Sequence, residues 1–555
     1  MPNKLRPNDD IPIIIRMGET YPGYGIFDNL LNGEYRIFSD KDTNSQIINL
    51  YHGAGSLLFK NEESNTLKLY FADSLNFKTI ILDNTVPIKY ISEDIEADQT
   101  WEQDTIYYIM KRIDILRKAT LVIEEGTRIY IAPKTNIISY GRIISWGKEH
   151  NPIIFSPLIK DSAWGGVELI KDSFFQYTIF YNGGADTTRK FGHSKSQPVV
   201  FSEDCNVGFN NCFFIYNEGK ALGLYRSKIN IDFCLFSDCD SGGEFTESSV
   251  SVNNSYILNM PSNDTAFIDD DNDGFYFNST FSNETNPSTI NNCVFVNGKD
   301  DAIDHNGAKL EVKNCWIENF KHEGIACSFK NFVNVSNTVI MNCEQGIESG
   351  YGSPEVNVNH CVIINNDVGL RFGDSYDWGC NGHLSAKNSI LYNNSDNILN
   401  YDLLLKAPVD GGIDISYSIT NDEEYDSYSN CLTGIPDFDE LYFLTDNSIG
   451  KGLADDGYDL GLIKKEMFVK SNECKFKIFP NPASNIFYIV LNNYKPIIEI
   501  FDVLGDRIKF SYYFYDKSVG EQLAIIDSSC IPGGLYLIRI IYFDKVITET
   551  IVISH

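Results

Sequence analysis

The chain has 555 residues, 43% of them hydrophobic, and carries a formal net charge of −31 with an isoelectric point near 4.6. This length exceeds what one compact hydrophobic core supports, although a solenoid can grow without that limit. The negative charge argues against nucleic acid and anionic membranes as partners, and no apolar run reaches the roughly 18 residues of a transmembrane helix.

Residues 1–88 contain short apolar runs separated by turn residues. Ile11-Pro-Ile-Ile-Ile is continuously apolar, and Leu67-Lys-Leu-Tyr-Phe begins with alternating side chains. Both patterns are typical of β-strands. We predict a small N-terminal β region over 1–88, and we find no catalytic motif in it.

Very short strands with Gly and Pro between them dominate the chain from about residue 89. Leu121-Val-Ile-Glu-Glu-Gly126-Thr and Trp164-Gly-Gly-Val-Glu-Leu are two examples. These segments resemble the opening coils of many secreted bacterial β-helix proteins, in which a Glu-Gly-Thr turn and a Trp-Gly-Gly strand recur. The resemblance implies that a β-helix starts near this point.

A repeated phrase of a polar pair, a small residue and an aliphatic pair defines the centre of the chain. It reads Asn-Asn-Cys293-Val-Phe, Lys-Asn-Cys315-Trp-Ile, Ser-Asn-Thr338-Val-Ile, Asn-His-Cys361-Val-Ile and Lys-Asn-Ser389-Ile-Leu, in steps of 22, 23, 23 and 28 residues. A fixed period of this length, with β-rich runs and no helical periodicity, indicates a solenoid. We therefore predict an all-β chain whose residues 89–463 form a right-handed parallel β-helix, closed at its open end by residues 436–462.

The chain has 13 cysteines, several of them at the repeated position. Free cysteine is commonly buried as a small apolar residue, and a disulfide framework is unusual in so large a β-protein. We predict that the repeated cysteines stack inside the solenoid. They are Cys212, Cys234, Cys293, Cys315 and Cys361.

A different domain follows a predicted linker at 464–474. Residues 475–555 contain Phe476-Lys-Ile-Phe-Pro-Asn-Pro, Ile498-Glu-Ile-Phe-Asp-Val-Leu-Gly and Ile531-Pro-Gly-Gly-Leu-Tyr-Leu, which are alternating strands with Gly turns and predict a small antiparallel β-sandwich. These segments closely resemble the C-terminal sorting domain of type IX secretion cargo. The resemblance implies that residues 475–555 contact the type IX secretion machinery and that the protein is secreted or attached to the outer-membrane surface.

Cargo of that kind normally carries an N-terminal export signal. Met1-Pro-Asn-Lys-Leu-Arg lacks the apolar segment of a signal peptide. We therefore expect the full-length protein to extend beyond Met1.

Equivalent positions in successive coils form columns, because one coil lies ~4.8 Å above the last. A column of mostly apolar residues directly follows the repeated glycines and points inward. By strand alternation the next column faces outward and holds Glu244, Tyr276, Asp304, Glu348 and Arg371. The column that precedes the glycines places Asp273, Asp301 and Glu323 on three successive coils.

Three stacked carboxylates repel one another unless a cation or a proton neutralises them, and Ca²⁺ prefers several carboxylate oxygens. The Asp-x-Asp-x-Asp-Gly segment at 269–274 also begins like a calcium loop, although Thr280 at its twelfth position excludes an EF-hand. A solvated acidic face is the alternative. The predicted calcium ligands are Asp269, Asp271, Asp273, Asp301 and Glu323.

Candidate catalytic and sugar-binding residues converge on the outward face. The candidate catalytic residues are Asp304, His305, Glu348 and Arg371. Alternation points His305 inward, where a lone histidine is more often a hydrogen-bonded core residue. The residues predicted to bind sugar are Glu244, Tyr276, Tyr376 and Trp378.

Two classes of function fit these residues, and both have a polysaccharide or surface glycan as partner. As an enzyme, the chain would be a lyase that uses Ca²⁺ and takes a proton with Arg371 or His305, or a hydrolase that uses the carboxyl groups of Asp304 and Glu348. As a non-catalytic protein, it would be an adhesin or glycan-binding stalk stabilised by Ca²⁺. Fold alone does not decide between them.

Several phrases in the acidic region resemble a group of secreted bacterial β-helix proteins. They are Lys299-Asp-Asp-Ala-Ile-Asp-His-Asn, His322-Glu-Gly-Ile-Ala and Gly369-Leu-Arg-Phe-Gly-Asp. Members of that group often accompany a spore-coat-protein-H-like kinase domain, whose own motifs are absent from this chain. The resemblance therefore implies a fold and export rather than kinase activity.

Overall fold

A computed structural model describes most of the chain and divides it into two compact units, Met1–Lys465 and Glu466–His555. No helix in the described ranges is long and apolar enough to cross a membrane. The predicted linker at 464–474 lies outside those ranges. The described residues are 4–6, 9–16, 31–39, 45–61, 67–71, 78–82, 85–261, 271–280, 286–374, 376–422, 430–463, 477–479, 483, 486–491, 497–502, 507–518, 521–542 and 545–554.

Most of the first unit is a parallel β-helix, as predicted. A representative coil has three strands, Gly243–Thr246, Ser249–Asn253 and Tyr256–Met260, each of which pairs in parallel with its equivalents on neighbouring coils. Among the described residues, the first two strands of the coils contribute to a 23-stranded sheet and the third to a 13-stranded sheet.

The strands of the larger sheet are Gln99–Trp101, Ile113–Ile115, Thr120–Glu124, Ile137–Ser139, Arg142–Trp146, Val167–Leu169, Ser173–Gln176, Val200–Glu203, Asn206–Asn210, Leu222–Tyr225, Lys228–Asp232, Gly243–Thr246, Ser249–Asn253, Phe275–Asn278, Ser288–Asn291, Ile303–Asn306, Leu310–Lys313, Glu323–Ser336, Gln345–Asn359, Val368–Phe372, His383–Lys387, Asp396–Asn400 and Ile413–Ser416. Those of the smaller sheet are Ile88–Ile91, Ile106–Ile109, Arg128–Ile131, Ile153–Pro157, Thr178–Tyr181, Phe213–Asn217, Leu235–Cys239, Tyr256–Met260, Val294–Gly298, Trp316–Phe320, Val339–Met341, Val362–Ile364 and Ile390–Tyr392.

The repeated phrase marks the turn between the second and third strand of a coil. The asparagine before the small residue adopts a left-handed conformation, with φ between 49° and 58° at Asn254, Asn292, Asn314, Asn337 and Asn388. Asparagine tolerates this conformation better than most side chains do. The amides also form a ladder, in which Asn337 donates to the Asn314 side-chain oxygen at 2.8 Å.

The small residue after this asparagine points into the solenoid. The five repeated cysteines are buried and form no disulfide, which confirms the predicted stack. Where threonine replaces the cysteine, its hydroxyl forms hydrogen bonds with backbone groups of the turns. Thr338 donates to the Ser336 carbonyl at 2.9 Å and accepts from the Cys315 amide at 3.3 Å. Apolar side chains from both sheets complete this interior.

The N-terminal region packs on the outside of the smaller solenoid sheet. Its strands are Lys4–Leu5, Ile11–Arg16, Gly33–Ser39, Gln46–Leu50, Ala54–Phe59, Leu67–Phe71 and Lys78–Leu82. Apolar residues such as Ile13 and Leu50 share a buried cluster with Leu235 and Trp316 of the solenoid. The region therefore shares an apolar cluster with the outer face of the smaller sheet, and this cluster is distinct from the core inside the solenoid.

Residues 432–463 also lie along the outside of the smaller sheet, and we call them the C-terminal strap. The Ile463 amide donates to Asn337, the Gly461 amide donates to the Asn388 carbonyl, and Leu460 joins the same apolar cluster as the N-terminal region. The prediction that this segment closes the open end of the solenoid is therefore wrong. Its apolar residues cover the outer surface of the third strands instead.

The second unit consists of two four-stranded antiparallel sheets with a shared apolar core, as predicted. The strands of one sheet are Lys477–Phe479, Ile486–Leu491, Ser511–Ser518 and Glu521–Asp527. Those of the other are Ile497–Phe501, Arg507–Ile508, Gly534–Tyr542 and Lys545–Ile553.

Candidate functional site

One outward column of the larger sheet carries the candidate site. Strand pairing places its members on successive coils in the order Gly223, Glu244, Tyr276, Asp304, Ala326, Glu348 and Arg371. The predicted register is thus observed. Six of these seven positions are buried, because other segments cover them, and Asp304 is half-buried.

Three carboxyl groups meet beside this column, and we call them the carboxylate cluster. Asp273, Asp301 and Asp304 each bring a carboxyl oxygen within 4.8 Å of the other two. Asp273 and Asp301 are buried, and Asp304 is half-buried. Within the described residues, Oδ2 of Asp273 has no hydrogen-bond partner. A buried oxygen of this kind is available to a ligand, a water or a cation.

Burial and mutual repulsion both raise the pKa values of the carboxyl groups in the cluster. The pKa values of Asp273, Asp301 and Asp304 are all raised well above the usual range, first by burial and then by the neighbouring carboxylates. His193 partly opposes this effect at Asp304. The cluster therefore retains protons at a pH where isolated carboxyl groups have lost them.

His322 and Glu323 lie next to the cluster. Nδ1 of His322 contacts Asp300 at 3.4 Å and Asp301 at 3.3 Å, and it also pairs with Glu323. Burial lowers the pKa of His322, but hydrogen bonds to these carboxylates outweigh it and raise the pKa overall. Burial raises the pKa of Glu323 to about 7 against the influence of His322.

Sequence reasoning missed Asp300 and His322 as parts of this site. The signal was present, because each immediately precedes a residue of the acidic column, Asp301 or Glu323. Residues that precede neighbouring members of a column are themselves neighbours.

Glu348 and Arg371 form a buried ion pair on adjacent coils. Nη1 of Arg371 donates to Oε1 of Glu348 at 2.9 Å and also donates to the Gly373 carbonyl. A guanidinium keeps its proton in proteins, so Arg371 supplies charge here and is a poor candidate for the base of a lyase. Burial raises the pKa of Glu348, and Arg371 opposes this shift.

His305 lies in the solenoid core, stacked between Phe277 and Cys327 on adjacent coils. Its ring is fully buried, and Nε2 lies 2.5 Å from the Ala308 carbonyl oxygen. Burial lowers the pKa of His305 to about 4, so the ring is neutral. It faces away from the carboxylate cluster and does not reach a ligand on the outer face.

Residues 186–197 fold back over the column on one side of Asp304, and we call them the wall loop. The Glu244 carboxylate accepts hydrogen bonds from the His193 and Ser194 amides and pairs with buried Lys220. Gly192 has a φ of 69°, and a side chain there would overlap the Glu244 carboxylate. Glu244 therefore anchors the loop.

The wall loop also covers Tyr276. The His193 ring stacks on Tyr276 with a centroid distance of 5.2 Å, and Nδ1 of His193 lies 2.8 Å from the Asp271 carboxylate. The predictions that Glu244 and Tyr276 bind sugar are therefore wrong. Alternation gave their outward direction correctly, but the loop between Thr178–Tyr181 and Val200–Glu203 occupies the space outside them.

Three aromatic rings lie near the strand of Asp304, and we call Tyr351, Tyr376 and Trp378 the aromatic platform. Tyr376 and Trp378 are 50% and 66% exposed and stack at 5.3 Å, while Tyr351 meets Trp378 edge-on at 4.8 Å. The Tyr351 hydroxyl donates to Asn306 at 2.9 Å, on the strand that carries Asp304. The platform is therefore tied to the strand of the cluster.

The five predicted calcium ligands do not surround one point. Asp273 and Asp301 lie close to Asp304. Asp271 instead contacts His193. Glu323 pairs with His322 and accepts a hydrogen bond from the Gln345 side chain. Asp269 lies outside the described residues. Two groups of described residues bring ligand atoms within 4.8 Å of one another, Asp273 with Asp301 and Asp304, and Asp300 with Asp301 and His322. The first group suits Ca²⁺ better, because Ca²⁺ takes carboxylate oxygens.

Comparison with known families concerns the second unit. Residues 477–554 match the family described as the secretion system C-terminal sorting domain. This unit is a type IX sorting domain. The sorting domain directs the chain to the type IX secretion machinery, so the protein is secreted and attached at the outer-membrane surface.

The solenoid has remote likenesses among solved structures, and the search of curated proteins found no match. The catalytic domain of a GH87 alpha-1,3-glucanase in complex with tetrasaccharides is 10% identical with a TM-score of 0.34, covering 74% of this chain and 89% of that one. A tailspike protein of E. coli bacteriophage HK620 in complex with a pentasaccharide is 10% identical with a TM-score of 0.28, covering 82% and 86%. At these scores the likenesses add nothing to the assignment of a function.

Proposed function

We propose that this protein is a secreted polysaccharide hydrolase whose catalytic groups are the carboxylate cluster. The observation that carries the proposal is the approach of three carboxyl oxygens to within 4.8 Å of one another beside a surface column. Hydrolysis of a glycosidic bond needs one carboxylic acid and one carboxylate placed together. The aromatic platform supports a sugar ligand, because exposed rings offer apolar faces beside polar groups.

In this proposal Asp304 is the general acid, because it is the member of the cluster nearest to solvent. It gives its proton to the glycosidic oxygen as the bond from that oxygen to the sugar carbon breaks. The oxygen separations within 4.8 Å are nearer those of retaining than of inverting glycosidases. An ionised carboxyl group of Asp273 or Asp301 therefore bonds to that carbon as the glycosidic bond breaks. Water then releases the sugar from this ester and gives its proton to Asp304. The raised pKa of Asp304 keeps the acid protonated at the pH of the reaction.

A lyase is less well supported by the same residues. Proton removal from carbon needs a group that is unprotonated and faces the substrate. Arg371 is held as a cation beside Glu348, and His305 is buried in the core. Neither of the bases considered for a lyase meets both conditions.

The proposal is tested by incubating the full chain with a panel of homogalacturonan, xylan, mannan, α-glucan and β-glucan and analysing the products. We expect new reducing ends without ultraviolet-absorbing unsaturated sugars. Unsaturated products would instead establish a lyase. Glycan binding without any product would contradict hydrolysis and establish the glycan-binding stalk.

A further inference from the structure

A cleft of about 370 Å³ lies between the wall loop and the larger sheet. The sheet contributes Glu168 and Phe201, which pair in the strand register, and the wall loop contributes Arg189, Lys190 and Phe191. Pockets that hold small molecules enclose roughly 300–1,000 Å³. The cleft is therefore large enough for a ligand of about the size of one or two sugar rings.

The cleft is separate from the carboxylate cluster. Strand pairing along the outward column runs in the order Phe201, Gly223, Glu244, Tyr276 and Asp304. Phe201 is thus four coils, ~19 Å, from Asp304. Phe191 and Pro198 pack over Gly223 between the two sites, because a side chain at Gly223 would overlap both of them. A small ligand in the cleft does not reach the cluster.

Hydrogen bonds hold the cleft in shape without a ligand. The buried Asn136 side chain donates to the Asp186 carboxylate at 2.7 Å and accepts from the Gln197 side chain at 2.7 Å. The Asp186 amide in turn donates to the Gln197 side chain at 2.6 Å. Asp186 and Gln197 are the first and last residues of the wall loop, so both of its ends are fixed. A preformed site loses less conformational entropy when a ligand binds.

The charged groups of the cleft are balanced and still offer donors and acceptors. Nη1 of Arg189 donates to Oε2 of Glu168, and Nε of Arg189 lies 3.9 Å from the Asp186 carboxylate, beyond hydrogen-bond distance. Within the described ranges, Nη2 of Arg189 and Oε1 of Glu168 form no hydrogen bond. Arg189 and Lys190 together offset the charges of Glu168 and Asp186. A neutral ligand with hydroxyl groups suits such a site, because a hydroxyl both donates and accepts.

Two aromatic rings lie beside these polar groups. Phe191 and Phe201 are half-buried, and their ring centroids are 5.0 Å apart with an angle of 58° between the planes. Small-molecule sites typically combine apolar and aromatic side chains with a few placed polar groups. A pyranose ring matches this combination, since its C–H groups pack on aromatic rings while its hydroxyls bond to polar side chains.

We propose that the cleft binds one neutral sugar unit of a glycan and is a second binding site, distinct from the carboxylate cluster and the aromatic platform. Phe191 and Phe201 pack against the sugar ring, Arg189 donates to its hydroxyls, and Glu168 accepts from them. The site holds the glycan on the solenoid whether or not the carboxylate cluster cleaves it. The proposal therefore stands or falls independently of the hydrolase.

Calorimetric titration of the full chain tests the proposal, in an Asp304→Asn/Trp378→Ala background that suppresses cleavage and weakens the aromatic platform. The probes are short xylo-, manno- and gluco-oligosaccharides, with oligogalacturonate as the acidic comparison. We expect at least one neutral oligosaccharide to bind, and added Arg189→Ala to weaken its binding roughly ten- to a hundredfold. Arg226→Ala, which removes an arginine paired with Asp204 outside the cleft, is the matched control and should leave binding unchanged.

A second variant guards against a loosened wall loop in Arg189→Ala. Phe201→Ala leaves the Asn136–Gln197 and Asn136–Asp186 hydrogen bonds in place and should weaken binding roughly two- to tenfold. Binding that persists unchanged in both variants would overturn the proposal, as would the absence of binding by every neutral probe. Tighter binding of oligogalacturonate than of any neutral probe would overturn the assignment of a neutral sugar. None of these results bears on the release of reducing ends by the unaltered protein.

Discussion

The Arg371 guanidinium donates a 2.9 Å hydrogen bond to the Glu348 carboxylate on the adjacent coil, and both side chains are buried. Removing one partner of such a pair leaves an uncompensated buried charge. We predict that Arg371→Met lowers the free energy of unfolding by roughly 3–5 kcal/mol, measured by urea denaturation. The double variant Arg371→Met/Glu348→Leu should recover part of this loss. A double variant less stable than Arg371→Met would contradict the pairing.

The titration of Glu323 and His322 predicts how stability varies with pH. The Glu323 pKa rises from 4.5 to about 7 on folding, so the folded state holds a proton that the unfolded state has already released. Stability therefore falls as pH rises from 4.5 to 7, by about 3 kcal/mol from this group. The raised pKa of His322 acts in the same direction above pH 6.5.

Melting temperatures measured from pH 4.5 to 8 test this account. We expect a steady fall in the wild-type protein and a smaller fall in Glu323→Gln, which has no carboxyl group to titrate at that position. A melting temperature that rises across this range would contradict the assigned shifts.

Much of the fold was predictable because a residue's place in the turn determines its type. Asn314 and Asn337 stand where the backbone is left-handed, and Cys315 and Thr338 follow where only a small side chain fits. These constraints recur from coil to coil, so the repeat in the sequence predicts which residues pair between neighbouring coils. The column from Glu244 to Arg371 follows from that register alone.

The accessibility of the column was not predictable in the same way. Glu244 and Tyr276 face outward, but whether they meet solvent depends on the wall loop, which has no counterpart in the repeat. The C-terminal strap shows the same limit, because Leu460 packs on coils that are distant in sequence. The alternation of side chains along a strand predicts which way each side chain points. Whether another segment covers that side chain depends on loops that are not part of the repeat.

Calcium binding remains a prediction, now confined to the carboxylate cluster. Protons and Ca²⁺ compete for the same oxygens, so binding should be strongest where the cluster is ionised. At pH 8 we expect Ca²⁺ to raise the melting temperature relative to EDTA, and Asp273→Asn to abolish the rise. Asp446→Asn, which alters an exposed strap residue, is the matched control. Equal melting temperatures with Ca²⁺ and EDTA would exclude a cation at the cluster.

The aromatic platform is predicted to contribute binding rather than chemistry. Trp378→Ala should raise KM roughly two- to tenfold, equivalent to the ~0.5–1.5 kcal/mol of one aromatic contact, and leave kcat nearly unchanged. Tyr458→Ala, at a 57% exposed ring of the strap, serves as the control. A fall in kcat without a change in KM would show that Trp378 acts on the reaction itself.

The rate at which Asp304→Asn releases reducing ends tests the central claim most directly. This change keeps the shape of the side chain, relieves repulsion within the cluster and removes the acid. We predict that the variant folds with at least wild-type stability at pH 7 and loses about 10²–10⁴-fold in kcat. A folded Asp304→Asn protein that hydrolyses the same polysaccharide at the wild-type rate would contradict the assignment of the carboxylate cluster as the catalytic site.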